Sequence, residues 1–100
     1  MEQILARLAA ANIQLLPLTQ IENHFVFERE GFISLVERAR DGGFGRIGTA
    51  GLLTERGMAV LMERSARKIF VAKGLEVEAT EAQVLALRAF DKDLREALAG

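Results

Sequence analysis

Apolar positions along the chain follow two different periods. Ile4, Leu5, Leu8 and Ala11 recur at the three-to-four spacing of a helix, and alanine, the strongest helix former, supplies much of the remainder. This predicts a short helix from Glu2 to Ala11. Asn12 tolerates the left-handed conformation that ends helices, and Pro17 keeps its predecessor out of helical space, so residues 13 to 18 are expected to be extended. Near the other end, Thr80-Glu81-Ala82-Gln83 is a capping box, with a hydroxyl at the cap and an amide three residues later. The stripe Val84, Leu87, Phe90, Leu94, Ala97 and Leu98 then predicts a helix with one face on a core, and Arg88, Lys92, Arg95 and Glu96 take its wet side. Leu85 falls on the polar side, and Asp91 sits at the margin of the stripe.

Between these helices the pattern shortens to strand-like runs. His24-Phe25-Val26-Phe27-Glu28-Arg29 and Phe32-Ile33-Ser34-Leu35-Val36-Glu37 flank Glu30-Gly31, which predicts a β-hairpin. Asp41-Gly42-Gly43 is a turn signal, followed by a short strand at Phe44 to Ile47. Ile69-Phe70-Val71-Ala72 is a strand stopped by Lys73-Gly74, and residues 75 to 79 form a linker or a short edge strand. The stretch from Thr54 to Lys68 is ambiguous, because Glu, Arg, Met, Ala and Leu favour a helix. An internal echo opposes that reading: Gly31 to Arg38 aligns with Gly57 to Arg64, with Gly, Leu, Glu and Arg identical. The echo predicts a second hairpin about Gly57, with both glycines at positive φ. The chain is therefore expected to be one α+β domain over residues 1–100. Its antiparallel sheet would have four to five strands built from hairpins, with a helix at each end.

Composition narrows the class. Half of the 100 residues are hydrophobic, which excludes a disordered chain, and 13 basic against 14 acidic residues leave no global field to draw nucleic acid or an anionic membrane. With no cysteine, disulfides, thiolate metal sites and thiol nucleophiles are absent; together with an N-terminus that lacks a signal-like pattern, this fits a cytoplasmic location. No apolar run is long enough to span a bilayer.

Candidate chemistry is sparse. Gly43-Phe44-Gly45-Arg46-Ile47-Gly48 fits the G-x-G-x-x-G spacing, yet the following Gly51 and Gly57 leave no room for the helix whose N-terminus would hold a pyrophosphate. Gly43-Phe44-Gly45-Arg46-Ile47 and Ile69-Phe70-Val71 resemble fragments of the signature strands of the RNA-recognition motif. Arg46 replaces the stacking aromatic and the two fragments stand in reversed order, so they read as ordinary sheet. Arg64, Arg67, Lys68 and Lys73 form a basic cluster around Phe70 that reads as a solubilising hairpin tip. A lone His24 cannot build a multi-histidine metal site. No catalytic residue, cofactor or metal is expected.

Two functional readings follow. The first is a non-catalytic interaction or accessory module, a homo-oligomer (a dimer) or the companion of a partner protein. Leu85, Phe25 and Phe27 are its candidate interface residues, because an apolar-rich chain of this size must turn some large side chains outward. The alternative is a small-molecule-binding protein or small enzyme whose pocket is formed by the 41–49 loop, with His24, Asp41, Gly43, Gly45, Arg46 and Gly48 as ligand-binding candidates.

Overall fold

The computed structural model describes residues 2–17 and 23–99. Helix α1 (Glu2–Ala10) leads into β1 (Gln14–Leu16), and the strands β2 (His24–Arg29), β3 (Phe32–Arg38), β4 (Phe44–Ile47), β5 (Gly51–Thr54), β6 (Gly57–Arg64), β7 (Arg67–Ala72) and β8 (Leu75–Glu78) precede helix α2 (Glu81–Ala99). Residue 18, the last of the expected extended segment, lies outside the described residues.

Every strand pairing is antiparallel, and the sheet runs β1-β2-β3-β5-β6-β7-β8, with β4 pairing β3. The α+β class and the two helices match expectation. The expected four to five strands do not, since the described residues form an eight-stranded sheet curled into a half-barrel. Three features account for the difference. β1 spans three residues, too few for a strand period to register. β4 and β5 follow one line beside β3, broken at residues 48–50, where Val36↔Ile47 gives way to Ile33↔Gly51. β8, Leu75-Glu76-Val77-Glu78, carries two acids in four residues, a common device for a sheet edge.

The second hairpin is real, and turn chemistry fixes it. Gly31 (φ 89) sits inside the two-residue turn between Arg29 and Phe32, whereas Gly57 (φ 96) is the first paired residue of β6, opposite Thr54. That is the geometry of a two-residue turn followed by a glycine bulge. Thr54 secures it: its hydroxyl donates to the Gly57 carbonyl at 2.7 Å and accepts from Arg56 N at 3.1 Å.

The inner face of the sheet wraps α2. Phe27, Phe32, Val36, Ala59 and Phe70 from the strands meet Leu87, Phe90, Leu94 and Ala97 from the helix, and α1 and the residues after it add Leu8 and Ile13. Each fully buried large side chain contributes roughly 1.5–3 kcal/mol, so this cluster dominates the stability of the fold. Phe25, Phe27 and Phe44 stack edge-on at one end, with centroids 5.0 Å apart for Phe25–Phe44 and 5.7 Å for Phe27–Phe44. Two arginines fasten the helices. Arg29 donates to the Ala11 carbonyl and to Asp93 of α2, both at 2.9 Å, and Arg7 Nε donates to the Ala97 carbonyl at 3.0 Å. The capping box of α2 is reciprocal, Gln83 N donating to Thr80 Oγ1 at 3.1 Å and Thr80 N to Gln83 Oε1 at 2.9 Å.

Candidate functional site

The most distinctive place in the sheet is a fork. In antiparallel ladders the backbone groups of alternate residues point to opposite sides of a strand. Ala79 N donates to the Lys68 carbonyl, so Lys68, Phe70 and Ala72 bond toward β8, and Arg67, Ile69 and Val71 bond toward β6. Their partners on β6 are Arg64, Met62 and Val60. The backbone of Ala59, Leu61 and Glu63 therefore points the other way. Ala59 is satisfied by Leu52, but pairing with β5 ends there, because the chain has left the line at Thr49-Ala50 and β4 pairs with β3 instead. Among the described residues, Leu61 and Glu63 thus present unpaired backbone groups to the gap between β4 and β6.

Beside this gap lies a hollow of about 390 Å³. Ala50, Leu61 and Leu87 form its apolar wall, Thr49 closes one side, and Arg88, Asp91 and Arg95 of α2 make the polar rim. Arg95 is already engaged with Asp91, Nε lying 3.2 and 3.1 Å from the two carboxylate oxygens. Arg88 makes no hydrogen bond or ion pair among the described residues.

The expected ligand loop spans the turn before β4, β4 itself and the residues that follow it. Asp41 folds back on its own turn, its Oδ1 accepting from Gly43 N at 2.9 Å. Gly45 and Gly48 let β4 approach β3: a Cβ would stand 3.1 Å from the Glu37 carbonyl at Gly45 and 2.9 Å from the Leu35 carbonyl at Gly48. His24 begins β2 opposite Glu37, so His24, Glu37 and Gly45 share one end of the sheet, while Arg46 is exposed on β4. None of these six residues lines the hollow beside the fork. The fork could not be read from the sequence, since it depends on which half of β3 each of β4 and β5 chooses; the glycine density at 42–51 was its only signal.

Of the interface candidates, Leu85 is 66% exposed, whereas Phe27 is 1% exposed inside the inner core and Phe25 packs against it. The basic cluster is dispersed: Arg64 faces Arg67 at the β6–β7 tip and pairs with Glu76 at 3.0 Å, while Lys73 lies in the β7–β8 turn at the opposite end of β7. The G-x-G-x-x-G glycines lie on and beside a strand with no helix after them. No group of three or more metal-ligating side chains occurs among the described residues, and no helix there is long and apolar enough to cross a membrane. Comparison of the chain with family models, curated proteins and solved structures finds no match.

Proposed function

We propose that this chain is a single-domain, cytoplasmic, non-catalytic interaction module that assembles as a homodimer through the outer face of its sheet. What carries the reading is surface. The molecule exposes 6775 Å², about 1,200 Å² more than the roughly 5,600 Å² of a compact monomer of its mass. Its radius of gyration of 14.0 Å likewise exceeds the roughly 13 Å usual for this length. A standard interface buries about 800 Å² per partner, so the excess is of the size that a second copy would cover.

The location follows from the register. Met58, Val60 and Met62 of β6 project outward beside Leu53 of β5 and Ile69 and Val71 of β7. Leu53, Val60 and Met62 are 44%, 38% and 46% exposed, which puts large apolar groups in water on two adjacent strands, β5 and β6, while Ile69 of β7 beside them is buried. Arg64 and Glu76 are paired with each other, which leaves the acid Glu78 on β8 and the base Arg67 at the hairpin tip bordering this patch, so a two-fold related copy can set one sign against the other. Light scattering coupled to gel filtration at micromolar concentration tests the proposal. Twice the chain mass of 11.0 kDa is expected, and a single-chain mass at every dilution overturns it.

A further inference from the structure

Within the reading of an interaction module, we propose that the fork between β4 and β6 accepts an extended segment of a partner protein as an added strand, with an apolar side chain seated in the adjoining hollow and an acidic residue on Arg88.

Three observations converge on this. First, the edge of β6 at the fork offers the unpaired backbone groups of Leu61 and Glu63, and strand addition draws its affinity from such groups. Second, this edge is the least guarded of the three among the described residues. The β8 edge carries Glu76 and Glu78, and the β1 edge is three residues long and stopped by Pro17, both usual ways of discouraging pairing. The fork edge carries the apolar Leu61 at the hollow and a single acid, Glu63, toward the hairpin tip. Third, a hollow of about 390 Å³ opens on the inner side of that edge, where alternate side chains of an added strand would point. That volume is at the small end of the roughly 300–1,000 Å³ of ligand sites and suits the side chains of one strand, walled in by α2, rather than a second sheet.

The charge of the segment follows from the rim. Among the side chains lining the hollow, Arg95 and Asp91 neutralise each other, and Arg88 is left to meet a carboxylate. Glu63, on the same strand toward the hairpin tip, lies outside the hollow's lining and sets the limit of the acid's register.

The test uses isotope-labelled protein and two acetylated, amidated heptapeptides of threonine, one carrying a valine and, two residues on and therefore on the same face of an extended strand, a glutamate, the other carrying lysine in place of that glutamate. The glutamate peptide is expected to shift the amide resonances of Thr49, Ala50, Leu61, Glu63 and Arg88 saturably and to slow hydrogen exchange at Leu61 and Glu63. The lysine peptide should bind about fivefold more weakly, the equivalent of roughly 1 kcal/mol for one such pair, and Arg88→Glu should reverse the preference. Unshifted fork resonances at millimolar peptide overturn the proposal, as does equal binding of the two peptides. Equal shifts from N-acetylglutamate methylamide alone also overturn it, in favour of a small-anion site. Because the peptide shifts and the light-scattering mass are separate measurements, a silent fork in a two-chain assembly defeats this proposal only. A single-chain mass with a responsive fork defeats only the homodimer.

Discussion

Ser65 and Ala66 turn the β6–β7 hairpin with φ of 53 and 65, the left-handed conformation that L-residues other than asparagine and aspartate avoid. The twist of the flanking strands favours the mirror-image turn types in a two-residue hairpin, and between Arg64 and Arg67 the turn is the one with both φ values positive. Alanine in this region costs roughly 1–2 kcal/mol, so Ala66→Gly is expected to stabilise the protein by about 1 kcal/mol, read as a higher urea midpoint with an unchanged slope. Gly51 is the opposite case. A Cβ there would stand 2.5 Å from the Ala59 carbonyl and 2.7 Å from Met58 Cγ, so Gly51→Ala forces β5 and β6 apart. Its expected cost is about 1–3 kcal/mol, measured the same way.

At the scale of the elements, α2 begins where its hydrogen bonds say it should, and Thr80→Ala removes the hydroxyl that Gln83 N donates to. A loss of about 1 kcal/mol is expected in thermal melts, and an unshifted midpoint would mean that the cap carries no energy. The capping box, the α2 stripe, the first hairpin and the Ile69–Ala72 strand were legible because each is decided within a few neighbouring residues. The echo between 31–38 and 57–64 was half legible. It marks two hairpins, yet Phe32 faces the inner core while its counterpart Met58 faces outward. The cause is a one-residue difference in where the turn glycine stands, and a one-residue slip exchanges the faces of a strand. Composition could not show this, nor could it show that Phe25 and Phe27 turn inward while β6 turns two methionines outward. The fork was hidden for a related reason: strand propensity is silent on pairing partners.

Across the whole molecule, two substitutions separate fold from assembly. Met62→Lys places a charge at the centre of the outer patch, and because Met62 is already exposed it should leave the melting temperature nearly unchanged while reducing the light-scattering mass to one chain. Arg29→Met should act the other way, lowering stability by about 1–3 kcal/mol through the orphaned Ala11 carbonyl and Asp93 without altering the assembly state of the folded fraction. Urea unfolding together with light scattering on each variant checks the pair.

The order of elements also governs how the chain comes into being. Apart from β5, which pairs with β3 past β4, each strand is paired with its predecessor in sequence from β1 to β8, so nearly the whole sheet can form hairpin by hairpin as a ribosome delivers it. Its inner face cannot be sealed until α2 arrives, because Leu87, Phe90, Leu94 and Ala97 are the only helix residues set against Phe27, Phe32 and Phe70 in the core among the described residues after β8. For that interval a nascent sheet carries bare phenylalanines on one side and bare methionines on the other, the kind of surface that chaperones hold and that neighbouring chains aggregate upon.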